Sequence, residues 1–244
     1  MTAKTALVTG SSVRTGRALV LALAARGWRV VVHGKDSSAQ EAEETAAECR
    51  RIGGEAVVAL QDISCPEGCE ALAASVPEGP LNLLVHNVGI YPKGSAMDTD
   101  AATLSRTLRT NLEAPWQLSR LLVPRMEPGS SIVALGYVGL QSLAGTRNAT
   151  AYSVSKTGLL VLVKSLALEL GGRGIRVNMV SPGQLENSVD LPADIARRVP
   201  LGRAGRIEDV VNAILWLASE EAAYVTGQDL DVAGGLMLAL RGEG

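Results

Sequence analysis

Short apolar runs rich in β-branched residues alternate along this chain with longer stretches of helical periodicity, and that alternation is its tightest constraint. Strand-like runs fall at 5–8, 29–33, 56–60, 81–86, 131–135, 176–180 and 228–232, and helical patterns near 15–26, 38–52, 66–75, 101–125, 151–171 and 207–219. Several runs, such as Val30-Val31-Val32, are apolar throughout rather than alternating, which suits a sheet covered on both faces. Strands separated by helices of this length imply right-handed crossovers and a doubly wound sheet of about seven parallel strands flanked by helices. Pro115 lies inside the fourth helical stretch and predicts a kink there. With no repeat or low-complexity linker, residues 1–244 read as one α/β domain.

Charge and cysteine content narrow the partners. A net charge of −2 without blocks of like charge excludes bulk electrostatic attachment to nucleic acid or a membrane surface. The apolar stretch from Arg17 to Ala25 resembles a signal-peptide core, but Ala6-Leu7-Val8 and a glycine turn precede it. The apolar run 158–163 meets Lys164 well short of a membrane span. Cys49, Cys65 and Cys69 are odd in number and the chain has two histidines, so they read as free thiols in a reducing cytosol, with no metal site. The expectation is a cytoplasmic protein acting on a small molecule.

In a sheet of this kind, ligands sit beyond the carboxyl ends of the strands. The loops leaving those ends are 9–16, 33–38, 61–65, 86–94, 136–150 and 181–200, and the unusual residues collect in them. The stretch VTGSSVRTG is built like a phosphate-binding turn, with Gly10 and Gly16 flanking Ser12 and Thr15. Arg14 stands where a middle glycine is expected, which leaves an ordinary strand-to-helix loop and an altered nucleotide site both open. Tyr152 and Lys156, four apart, share one helix face. A neighbouring ammonium favours the phenolate and would lower the tyrosine pKa toward the range of an acid–base catalyst. Taken alone, the same spacing also describes a surface Tyr–Lys pair.

Taken together, Thr9-Gly10 with Gly16, Asp62, Asn87-Val88-Gly89, Asn111, Tyr152-Ser153-Val154-Ser155-Lys156, Pro182-Gly183 and Tyr224-Val225-Thr226-Gly227-Gln228 resemble the short-chain dehydrogenase/reductase family. Each motif is weak alone, but their order and spacing match from residue 3 to about 237. The resemblance implies a Rossmann-type fold in which Tyr152 protonates a carbonyl oxygen as hydride leaves a nicotinamide. It gives Lys156 the nicotinamide ribose and Asn111 a proton-relay water. Cofactor contacts then fall to Gly10, Ser12, Arg14, Thr15, Gly16, His33, Gly34, Lys35, Asp62, Ile63, Asn87, Val88, Gly89, Tyr152, Lys156, Pro182 and Gly183. Substrate contacts fall to Tyr91, Tyr137 and the loop 184–203. The family's habit of forming tetramers through long helices and the C-terminal segment points to the apolar runs 157–163 and 235–240.

Two departures matter. The family's serine, typically thirteen residues before the tyrosine, falls on Gly139 here. Aligning by the fifth strand puts Tyr137 in that place, and Ser142 is a weaker substitute. Arginine at position 14 is similar to a subset resembling the pteridine reductases, which use NADPH. The position at the end of the second strand that carries a carboxylate for NAD is Gly34, followed by Lys35; Asp36 lies two residues too late. NADPH is therefore expected over NADH. The leading expectation is an NADPH-dependent reductase of a ketone. A pteridine or imine reductase and a non-catalytic dinucleotide-binding relative are the alternatives.

Overall fold

The structure, a computed structural model, describes residues 3–239. Its strands are β1 (Thr5–Val8), β2 (Arg29–Gly34), β3 (Glu55–Leu60), β4 (Leu83–His86), β5 (Ser131–Leu135), β6 (Arg176–Pro182) and β7 (Asp229–Val232). They form one parallel sheet in the order β3-β2-β1-β4-β5-β6-β7. The order reverses between β1 and β4, which opens a crevice beyond their carboxyl ends. The helices are α1 (Arg14–Ala24), α2 (Ala39–Arg51), α3 (Pro66–Ser75), α4 (Ala101–Leu108), α5 (Ala114–Leu122), α6 (Thr150–Leu170), α7 (Ile195–Arg198), α8 (Ile207–Ala218) and α9 (Leu236–Ala239).

Strand geometry explains the continuous apolar runs. Successive side chains point to opposite faces, and here both faces are covered. Ala6, Val8, Val30, Val32, Leu83, Val85 and Val133 pack in one layer with buried residues of α1, α2 and α8. Leu7, Val31, Leu84, Ile132 and Ala134 pack in the other with α3, α5 and α6. An alternating strand would leave polar side chains in one of these layers.

Differences from the sequence reading are small except in one place. β4 begins at Leu83 rather than 81, because the Leu81 amide donates to Arg125 instead of joining the sheet. The stretch 101–125 is helical throughout, as expected, but changes its hydrogen-bond register along the way. It consists of α4, a π-helical turn over Arg109–Glu113, α5 and a 3₁₀ turn over Val123–Arg125. Pro115 has no amide hydrogen to donate four residues back, so the preceding backbone shifts to the wider register. That turn buries Thr110 and Asn111 and carries Asn111 beneath the loop after β4. No described helix is long and apolar enough to cross a membrane.

Candidate active site

The phosphate-binding turn is held from three sides. Asn87 donates through Nδ2 to the Thr9 and Gly10 carbonyls at 2.9 and 3.1 Å, bridging the switch point. The Asn87 and Val88 amides both donate to Thr9 Oγ1. His33 Nδ1 accepts from the Gly10 amide at 2.8 Å, which leaves Nε2 as the donor to the Gln61 carbonyl at 3.0 Å. Gly16 is required by space: a Cβ there would stand 2.4 Å from the Gly10 carbonyl oxygen.

His33 corrects the sequence reading. It was expected to touch a cofactor, but it is buried and both ring nitrogens are occupied. Burial lowers its pKa to about 4. His33 is thus a neutral strut between the turn and the end of β3. Ser12 and Ile63 are likewise buried, Ile63 in the core and Ser12 beneath α2, where Thr45 donates to its carbonyl.

At the end of β2 a Cβ at Gly34 would lie 2.5 Å from Ser38 Oγ, so a side chain there would have to displace that hydroxyl. The half-exposed Lys35 takes over that corner and pairs with Asp62 at 3.0 Å. Partial burial works against ionisation of Asp62, but Ser64 and Lys35 outweigh it and hold the carboxyl near pH 2. Asp36 opens a short 3₁₀ turn past the strand.

Arg14 lies elsewhere. It adopts φ +52°, a left-handed conformation that costs a non-glycine residue roughly 1 kcal/mol or more. It lines a hollow of about 290 Å³ between the turn and Asn87-Val88-Gly89, and also the large cavity of about 650 Å³ beside it. It stands between the phosphate turn and the cavity that holds Tyr152.

That cavity opens beyond β5 and is lined by Tyr91, Tyr137, Tyr152, Pro182, Gly183 and the start of the 184–203 loop. Lys156 is buried one turn below Tyr152, and its ammonium donates to the Leu135 carbonyl at 2.7 Å. Burial lowers its pKa to about 8. The expected depression of the Tyr152 pKa is absent: burial first, and then Tyr137 and Tyr91, push the phenol well above the ordinary tyrosine value. The ammonium lies 5.8 Å from the Tyr152 ring centroid and is spent on a backbone carbonyl, so it does not offset that burial. Tyr152 is a protonated phenol at neutral pH. Such a group can give a proton.

Asn111 is committed at both ends of its amide. Oδ1 accepts from the Ile90 amide at 2.9 Å, and Nδ2 donates to the Ile90 carbonyl and to Ser155 Oγ, each at 3.0 Å. It ties the loop after β4 to α6. Gly89 makes that approach possible, since its Cβ would lie 3.2 Å from Lys156 Nζ.

Tyr137 enters the cavity from the end of β5, with its ring centroid 5.4 Å from that of Tyr152. Its hydroxyl lies 2.9 Å from Ser153 Oγ. Gly139, at the family's serine position, has φ +86°, which disfavours any side chain there. Ser142 is exposed, donates to the Gly139 carbonyl and does not line the cavity. Sequence reasoning did not single out Ser153, Arg147 or the Lys93–Asp190 ion pair at the cavity mouth. Ser153 and Arg147 stood inside a quoted motif and a flagged loop. His86, buried at the end of β4 with Nε2 2.9 Å from Ser119 Oγ, carried no sequence signal at all.

A family model described as enoyl-(acyl carrier protein) reductase matches residues 13–237. The chain belongs to the short-chain dehydrogenase/reductase family. It is 36% identical to L-rhamnose 1-dehydrogenase (NAD(P)(+)) of Azotobacter vinelandii, over 98% of each chain. It is 34% identical to the 3-oxoacyl-[acyl-carrier-protein] reductase FabG of Escherichia coli, over 96% of this chain and 98% of that one. Among solved structures, the angucycline C-6 ketoreductase LanV with bound NADP superposes with a TM-score of 0.88 at 28% identity, covering 96% of both chains. Like these short-chain dehydrogenases and reductases, the protein is an oxidoreductase.

The residues present fit the family's dinucleotide. The N-terminus of α1 and the glycine-lined hollow beside Arg14 would hold its phosphates, and the corner at Lys35 its adenosine end.

Proposed function

We propose that this enzyme reduces a ketone of a small molecule with NADPH, Tyr152 acting as general acid. The observation that carries the reading is a half-buried, protonated Tyr152 facing a cavity of about 650 Å³, with Lys156 one helical turn below it. When bound, the dinucleotide supplies the hydride. Tyr152 Oη delivers the proton to the carbonyl oxygen, and Lys156 anchors the nicotinamide ribose. Asn111 keeps the loop after β4 and α6 in register. The Tyr137 hydroxyl is placed to donate to the same oxygen, in the role the family gives to serine. The test is NADPH oxidation by purified protein with a panel of ketones. Oxidation of NADPH by no ketone, with binding intact, would overturn the reading in favour of a binding protein.

NADPH over NADH rests on the cation at the end of β2, where Gly34 supplies no carboxylate. The NADP bound to LanV agrees with it. Lys35→Ala is expected to weaken NADPH by roughly 1.5–3 kcal/mol, the scale of a charge-assisted phosphate contact, and to leave NADH much less affected. Fluorescence titration with both dinucleotides measures this. Equal affinities in the parent protein would contradict it.

The assembly we propose is a homotetramer in the cytoplasm, where the free Cys49, Cys65 and Cys69 suit a reducing medium. Part of the apolar run 157–163 is spent on the core, since Leu159, Leu160 and Val163 are buried. Val154, Val161 and Leu168, spaced by seven, are left as an exposed stripe on α6. In the segment 235–240, Leu236 is buried, Leu238 is exposed and Leu240 lies outside the described residues. Light scattering at micromolar concentration is expected to give a tetramer, and Leu168→Glu a smaller species. A monomeric parent protein would rule the assembly out.

A further inference from the structure

Resting on that reading, the cavity also says what kind of ketone it takes. The chain has no phenylalanine and only four tyrosines, and three of the four, Tyr91, Tyr137 and Tyr152, line this cavity. The three tryptophans lie elsewhere, so the aromatic rings at this cavity are all phenols. Tyr91 meets the Tyr152 ring nearly at a right angle, 84° with centroids 4.9 Å apart, while Tyr137 is tilted by 34° from it. The planes of Tyr91 and Tyr137 therefore differ by at least 84 − 34 = 50°, and the two rings make a corner around Tyr152 rather than a slot. A flat ring lying over Tyr152 can stack on one wall or meet a wall edge-on, the two arrangements that aromatic rings prefer.

Charge at the mouth is one-sided. Asp190 is held by Lys93 at 2.7 Å, so the pair is neutral. Arg14 and Arg147 also line the cavity, and among the described residues neither has an ion-pair partner. Arg14 also faces the phosphate hollow, which leaves Arg147, on the loop between β5 and α6, as the cation turned to the substrate alone. A guanidinium beside an aromatic corner matches a carboxylate or similar anion carried on a flat ring.

We propose that the substrate is a ring ketone fused to an aromatic system and bearing an anionic group, with Tyr91 and Tyr137 reading the ring and Arg147 the anion. The reaction remains a carbonyl reduction: hydride adds to the carbonyl carbon, the C=O π bond becomes the O–H bond with the proton from Tyr152, and NADP⁺ leaves.

Three probes separate the contributions at matched carbonyl reactivity: a carboxy-β-tetralone, its methyl ester, and the saturated decalone analogue of that ester. Dissociation constants are measured on the protein–NADPH complex, and KM wherever turnover occurs. Each aromatic contact corresponds to about two- to tenfold in affinity, so the ester is expected to bind roughly five- to a hundredfold tighter than the decalone. The acid is expected to bind about tenfold or more tighter than the ester. Arg147→Gln should erase the gap between acid and ester, and Tyr91→Leu should narrow the gap between ester and decalone. Both positions are exposed, so these variants test recognition rather than folding. Equal affinities for all three probes, or an acid-to-ester gap that survives in Arg147→Gln, would overturn the proposal. Ordered affinities without NADPH oxidation would instead support the substrate class and count against the reductase reading.

Discussion

Replacing Tyr152 with Phe is expected to lower kcat by about 10²–10⁴-fold, the usual contribution of a general acid. The ring that packs between Tyr91 and Tyr137 is kept, so the cavity retains its shape and only the proton donor is lost. The loss should therefore appear in kcat, with NADPH binding by fluorescence close to that of the parent. The size of the effect follows from the state of the phenol. Burial keeps it protonated at neutral pH, which suits reduction, where the group must give a proton rather than take one. A Phe variant that retained most of its activity on the best ketone would remove Tyr152 from the chemistry and return the Tyr–Lys pair to a packing role.

Tyr137→Phe comes second, with an expected loss of about 10²–10³-fold in kcat, the scale seen when one donor to a developing oxyanion is removed. The argument is positional. Gly139 is left-handed and bears no donor, Ser142 does not line the cavity, and Tyr137 lines the same cavity as Tyr152. Its 2.9 Å contact with Ser153 Oγ offers a second way to act, because Ser153 can accept from the phenol or orient it toward substrate. Two variants distinguish these roles. Ser153→Ala should cost much less than Tyr137→Phe if the phenol itself donates to substrate, and as much if the pair acts as a unit. A Phe variant with unchanged kcat would leave Tyr137 as an aromatic wall only.

The strands, their parallel arrangement and the loops carrying the site follow from local periodicity. The inner strands are buried on both faces, so their apolar character is written continuously in the sequence, and β1 and β5 fall where their runs do. The glycine turn and the Tyr-x-x-x-Lys pair were legible for a similar reason, since close backbone approach and a shared helix face impose fixed spacings. The sequence alone therefore determined the fold and the family, and it marked Tyr152 as the candidate proton donor.

Tertiary structure decided the rest, through contacts between residues far apart in the chain. His33 looked like a ligand contact until Gly10 and Gln61, 23 and 28 residues away, were found to occupy both its nitrogens. The π turn before Pro115 aimed Asn111 at Ile90 and Ser155, an outcome that a prediction of a simple kink does not contain. That Arg14 lines two neighbouring cavities is likewise set by how the turn packs against the loop after β4. The pKa of Tyr152 moved opposite to the expectation from its neighbouring lysine. Spacing reports which groups are near, whereas a pKa depends on how much water the fold removes from them and on which partner each charge finally takes.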